Sequence, residues 1–198
     1  MIRKDGTEWL LSPDHLYSAD ETSAALDCPP PVPGVYGWYF RQLPVEVPVG
    51  DCATNGDWVL AYVGISPSDR TTADGRASAQ NLRSRVRYHF RGNAEGSTLR
   101  LTLGCLLRDE LGTELRRVGS GRRMTFGDAE SELSSWMRDK ARVVWHECAE
   151  PWILEDALIH RPSLPLNLHG NDAHPFQATL TRIRAEAKTR ARELPVVS

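Results

Sequence analysis

Apolar and aromatic positions fall into short blocks with two different periods. Gly34-Val35-Tyr36-Gly37-Trp38-Tyr39-Phe40 is aromatic and β-prone, and Pro29-Pro30-Pro31-Val32-Pro33 breaks any helix ahead of it and holds the backbone extended. Trp58–Ile65 reads as a second strand, apolar enough to be buried on both faces. Residues 41–57, with Pro44, Pro48, Gly50 and Gly56, read as a long hairpin connection. After a polar loop over 66–79, Leu82, Val86 and Phe90 recur at i, i+4 and i+8, which predicts a helix with Asn81 as N-cap. Further helices are predicted over 98–107, over 126–140 with Thr125 or Asp128 as cap, from Pro151 to just before Pro162, and over 176–192. Arg142–His146 reads as a third strand. The expected class is α/β: a small, mainly antiparallel three-stranded sheet flanked by helices. The expected organisation is an N-terminal extension (1–33), with a short apolar anchor at Glu8-Trp9-Leu10-Leu11, then a domain over 34–175 carrying a helical insertion at about 111–140. A basic helix over 176–198 packs on that domain.

Composition narrows the class without naming a function. The 198 residues are 40% hydrophobic and 25% charged, the profile of a globular chain. No apolar run approaches the roughly 20 residues of a membrane-spanning helix, and no apolar signal core follows the charged start, so a cytoplasmic location is expected. Cys28, Cys52, Cys105 and Cys148 lie far apart with no CxxC pair, which argues against a zinc site or a disulfide framework. The net charge of −2 conceals an uneven distribution. Residues 81–123 hold ten arginines against four acids, whereas residues 1–30 hold two basic and six acidic residues. A basic face of that kind suits phosphate contact.

The candidate chemistry lies in an ordered set of positions. Gly34-Val35-Tyr36 and Tyr62-Val63-Gly64 each place a tyrosine and a glycine in a strand. They are followed by Arg85 and His89, by Glu155, and twelve positions later by Asn167. This set resembles the GIY-YIG endonuclease superfamily. Asn81-Leu82-Arg83-Ser84-Arg85 is similar to the Asn-Leu-x-x-Arg segment of bacterial excision-repair incision nucleases. The Arg85–His89 pair, the Glu155–Asn167 spacing and the long separation of the two tyrosine strands resemble restriction members. The resemblance implies a divalent-metal-dependent DNA endonuclease with Tyr36, Tyr62, Arg85, His89, Glu155 and Asn167 in its site. Glu155 would hold Mg²⁺ or Mn²⁺, and Tyr36 would be the general base.

Elementary chemistry supports those residue types. Phosphodiester hydrolysis needs an activated water, neutralised phosphoryl oxygens and help for the departing oxygen; a hard cation on a carboxylate supplies the last two. A guanidinium matches phosphate oxygens, and Arg85 and His89, four apart, share a helix face. Arg83 and Arg87 lie about 160° around the helix from Arg85. With Arg91, Arg116, Arg117, Arg122 and Arg123 they are expected at the DNA backbone. A double-strand cut by a one-site domain takes two copies or two successive nicks, so a homodimer on DNA belongs to the expectation. One position departs from the pattern. Many members carry a lysine right after the second motif's glycine, where this chain has Ile65; Arg70 or Arg76 would have to replace its charge. Restriction or defence against foreign DNA is the expected context, with nicking in repair or recombination, or an inactive nucleic-acid-binding member, as the alternatives.

Overall fold

Strand β1 (Gly34–Phe40) runs through the middle of the molecule and is buried at every position. It pairs antiparallel with β3 (Trp58–Ser66) on one side and with β6 (Ala141–Glu147) on the other. The computed structural model describes residues 7–24, 28–44, 46–67, 78–159 and 163–197. Arg70, Arg76 and His160 lie outside the described residues. The main sheet has four strands, in the order β2-β3-β1-β6, not the three expected. The extra strand, β2 (Thr54–Asn55), pairs with Val59 and Trp58 through a two-residue turn. Gly56 sits in that turn at φ +57°, the left-handed conformation such turns require. A two-residue strand shows no alternation, so hydropathy could not reveal it.

The helical insertion expected over 111–140 is only half helical. Strands β4 (Arg116–Val118) and β5 (Arg123–Thr125) form a separate two-stranded ribbon. Gly119 and Gly121 turn between them with positive φ. A 3₁₀ turn at Gly127–Ala129 then leads into α6 (Glu130–Lys140), whose N-cap Ala129 has no capping side chain; neither Thr125 nor Asp128 serves. Three-residue strands rich in arginine carry no hydrophobic period, so the apolar positions of α6 set the reading of the whole segment.

Two cores cover the two faces of the sheet. Tyr36, Trp38 and Phe40 point to one face, where they meet α3 (Leu82–Arg91), α4 (Thr98–Leu106) and α6 through Leu82, Val86, Phe90, Leu99, Leu103, Leu133 and Met137. Val35, Tyr39, Leu60, Val63 and Ile65 point to the other. There Leu10 of α1 (Glu8–Leu11) and Leu158 of α7 (Pro151–Ile159) close the second core. Each fully buried leucine contributes about 1.5–3 kcal/mol. A short helix, α5 (Arg108–Leu111), follows α4, and α8 (Gln177–Glu193) packs across α4 and β4.

The N-terminal segment is stitched into this frame. Leu10 fills the notch over Gly37, where a β-carbon would lie 2.2 Å from its Cδ1. The Tyr39 hydroxyl donates to the Leu10 carbonyl. Tyr17 exchanges backbone hydrogen bonds with Val143 at 3.0 and 2.9 Å, covering the outer edge of β6. A further short helix, α2 (Glu21–Ala24), lies against α3.

Candidate active site

Strand register brings the two tyrosine motifs together. Tyr36 lies opposite Gly64 and Trp38 opposite Tyr62, so both tyrosines project from the same face of the sheet. The Tyr36 ring lies over Gly64: a β-carbon there would come within 2.6 Å of the hydroxyl oxygen. The glycine of the second motif is therefore the space that the tyrosine of the first occupies.

Helix α3 delivers the next two residues. The Asn81 side chain accepts the Ser84 N–H at 3.0 Å, and the Ser84 hydroxyl oxygen accepts the Asn81 N–H at 3.3 Å, a reciprocal cap that fixes the first turn. Arg85 Nε–H then donates to the Tyr36 hydroxyl oxygen at 3.3 Å, and its Nη1 donates to the Gly96 carbonyl at 2.7 Å. That same hydroxyl lies 2.8 Å from Nε2 of buried His89, whose Nδ1 lies 2.7 Å from the Ser97 hydroxyl. Burial, and then the charges of Arg85 and Arg100, hold His89 well below its ordinary 6.5, so the ring is neutral with one donor and one acceptor nitrogen. Burial drives the Tyr36 phenol well above 10; the neighbouring Tyr62 adds to this, and Arg85 opposes it.

Glu155 reaches the same region from the other side of the sheet. Its helix packs on the second core, and the carboxylate turns to the β3 edge, where it lines a cleft of about 770 Å³ with Tyr62, Thr98, Thr102, Asn167 and His169. Exposed Asp156 does not line it. Glu155 is half-buried and accepts no hydrogen bond among the described residues. Burial raises its pKa; His169 opposes the rise and Asp156 adds to it. A desolvated carboxylate without a donor suits a hard cation, which takes one or two carboxylates and completes its shell with water. No cluster of three His, Cys, Asp or Glu side chains occurs among the described residues, so any such ion would rely on water and substrate oxygens. Tyr62 opens onto the cleft, whereas Tyr36, Arg85 and His89 form the layer behind it.

Asn167 lies at the cleft but its amide faces the backbone. Its Oδ1 accepts the Val63 N–H at 2.9 Å and its Nδ2 donates to the Val63 carbonyl at 2.8 Å. Leu166 N–H donates to the Ala61 carbonyl at 3.0 Å. The loop thus mimics a further strand along the exposed edge of β3, holding Tyr62 and Gly64 in place.

The arginines expected at DNA have different surroundings. Arg83 donates to the Pro29 carbonyl, Arg87 to the Thr22 carbonyl and Arg91 to the Ser23 hydroxyl, at 3.0, 2.8 and 2.6 Å. They bind the N-terminal segment to α3. Arg116 donates to the Pro195 carbonyl, and Arg117 to those of Ala191 and Leu194, fastening the end of α8 to the hairpin. Arg122 and Arg123, at the hairpin tip, are exposed.

Sequence reasoning missed three residues here. Arg100 is fully buried and pairs with Glu130 at 2.6 Å. It also donates to the His89 and Phe90 carbonyls at 3.2 Å, fixing the end of α3 that carries His89. Arg184 and Lys188 of α8 line the same cleft as Glu155. Their spacing of four was the available signal, but nothing in the sequence directs that face to the motif residues. Other histidines contribute little: His146 stacks on Trp9, and His174 accepts the Phe176 N–H at Nδ1. All four cysteines are unpaired thiols.

The family model of the GIY-YIG catalytic domain matches residues 34–186. Together with the curled antiparallel sheet and its paired tyrosines, this match assigns the chain to the GIY-YIG family of nucleases. Searches of curated proteins and of solved structures gave no significant match.

Proposed function

We propose that this chain is a divalent-metal-dependent DNA endonuclease that hydrolyses phosphodiester bonds. The carrying observation is the convergence of Arg85, Tyr36 and His89 in one hydrogen-bonded chain beside Tyr62, which lines one cleft with Glu155. Glu155 would hold Mg²⁺ or Mn²⁺, which would neutralise phosphoryl charge and assist the departing oxygen. Tyr36 acts as general base. Its phenol is too weak an acid to ionise by itself, so its proton passes to neutral His89 as its oxygen takes the proton of the attacking water. The Arg85 charge stabilises the phenolate character that develops. The same charge, with Arg100, disfavours a cationic His89, and the incoming phosphate's negative charge counters that penalty. Tyr62, at the cleft wall, orients the water.

Ile65 lies in the second core, on the face opposite Tyr36 and Tyr62 and in one cluster with Leu158 of the helix that carries Glu155. The Glu155–Asn167 spacing supports restriction of foreign DNA as the context. Incubation of plasmid with protein and Mg²⁺ tests the proposal. Nicked or linear product is expected, with cutting abolished in Glu155→Ala; undiminished cutting by that variant would remove Glu155 from the metal site. Intact plasmid with retained gel-shift binding would make the chain a binding module, and cutting confined to flaps or lesions would move it to repair.

A further inference from the structure

Arg184 and Lys188 stand one helical turn apart on the face of α8 that is turned to the cleft, flanked there by Thr181 and Ala185. Both are half-buried. Among the described residues, no hydrogen bond or ion pair reaches either charged group. Arg182, on the outward face, is by contrast paired with Glu186 at 2.8 Å. Withdrawing a cation from water costs free energy unless an anion answers it. Arg184 lies near Tyr62 and Cys105, but burial keeps both the phenol and the thiol neutral, so neither supplies an anion. The cleft is therefore lined by two cations that no ion pair among the described residues answers, Arg184 and Lys188, by the carboxylates of Glu155 and exposed Asp172, and by the hydroxyl-bearing Thr98 and Tyr62.

We propose that Arg184 and Lys188 form a phosphate-binding site that seats the strand to be cut against Tyr62 and Glu155. The proposal rests on the nuclease reading above. It gives the cleft a positive wall that position 65 cannot supply, and it gives the hairpin a purpose. The Arg117 bonds to the Ala191 and Leu194 carbonyls hold α8 so that its cationic face stays on the cleft. The ligand is phosphodiester oxygen of a nucleic acid strand, recognised by charge and not by base.

Binding of a short fluorescein-labelled DNA duplex to the full-length Glu155→Ala protein, read by anisotropy over a salt series, tests the site. Adding Arg184→Gln and Lys188→Gln is expected to weaken binding about tenfold or more and to lower the salt slope by about 2, near one for each lost phosphate contact. Arg182→Ala is expected to bind like its parent. Unchanged affinity and slope in the double variant, with a parent that binds duplex, overturns the phosphate site and leaves the nuclease reading standing. A parent that binds no duplex overturns both. If circular dichroism shows the double variant unfolded, Lys188→Gln alone carries the test: about half the slope change supports the site, and no change overturns it.

Discussion

Gly64 and Tyr36 are a single unit divided between two strands. A methyl group at position 64 would stand 2.6 Å from the Tyr36 hydroxyl oxygen and 2.8 Å from Cζ, and the ring is buried with its oxygen held by Arg85 and His89. Gly64→Ala is therefore expected to cost about 1–3 kcal/mol in urea denaturation, as overpacking does. It should also reduce DNA cleavage by about 10²-fold or more, because the displaced hydroxyl is the proposed base. A variant that cuts normally would show that Tyr36 need not sit where it does. The pairing of these two residues was legible as a motif. Its reason was not, since the contact exists only when β1 and β3 adopt this register. Glu155 shows the same limit. Sequence could not separate it physically from Asp156; burial at the cleft does.

At the level of elements, the edge of β3 decides how the site is held. The short β2 pairs only Trp58 and Val59, so the N–H and carbonyl of Val63 on the edge away from β1 meet no strand among the described residues, and the Asn167 amide supplies both hydrogen bonds there. Asn167→Ala leaves a buried donor and acceptor unanswered, so a loss of about 2–6 kcal/mol in stability is expected from urea denaturation, at about 1–3 per orphaned group. An unchanged midpoint would assign Asn167 to the chemistry alone. The longer helices, β1, β3 and β6 were readable because their apolar periods run over several residues, whereas the four-residue α2 and α5 were not. β2 and the β4–β5 hairpin were not, because strands of two or three residues have no period to read. The arginines of α3 were read as a DNA-facing surface. Three of them also answer N-terminal carbonyls and a hydroxyl, a use that depends on where a segment about fifty to seventy residues earlier in the chain comes to rest.

Across the whole molecule, buried titratable groups set a pH window for stability. His89 has a lowered pKa in the fold, so below about 6.5 the unfolded chain takes up a proton that the folded chain refuses, and stability falls as pH falls. Tyr36, Tyr39 and Tyr62 have raised values, so above about 10 the unfolded chain releases protons that the folded chain keeps, and stability falls as pH rises. Thermal melts are expected to peak between these limits, and His89→Gln should flatten the acid side. Melts of the variant that keep the full acid slope would exclude His89 as its source. No helix among the described residues is long and apolar enough to cross a membrane.

Sequence alone determined the family, the order of the longer helices with β1, β3 and β6, and the six positions around which the chemistry was expected. All of these depend on local period and on the order of residue types along the chain. Tertiary structure decided which of those side chains share a hydrogen bond and which face a cleft. It also laid Arg83, Arg87 and Arg91 of α3 against the N-terminal segment and brought Arg184 and Lys188 from the last helix to the cleft that Tyr62 and Glu155 line. The reason is physical: a side chain's charge and hydrogen bonds are answered by whatever packing places beside it, and neighbours far apart in the chain leave no period in the sequence.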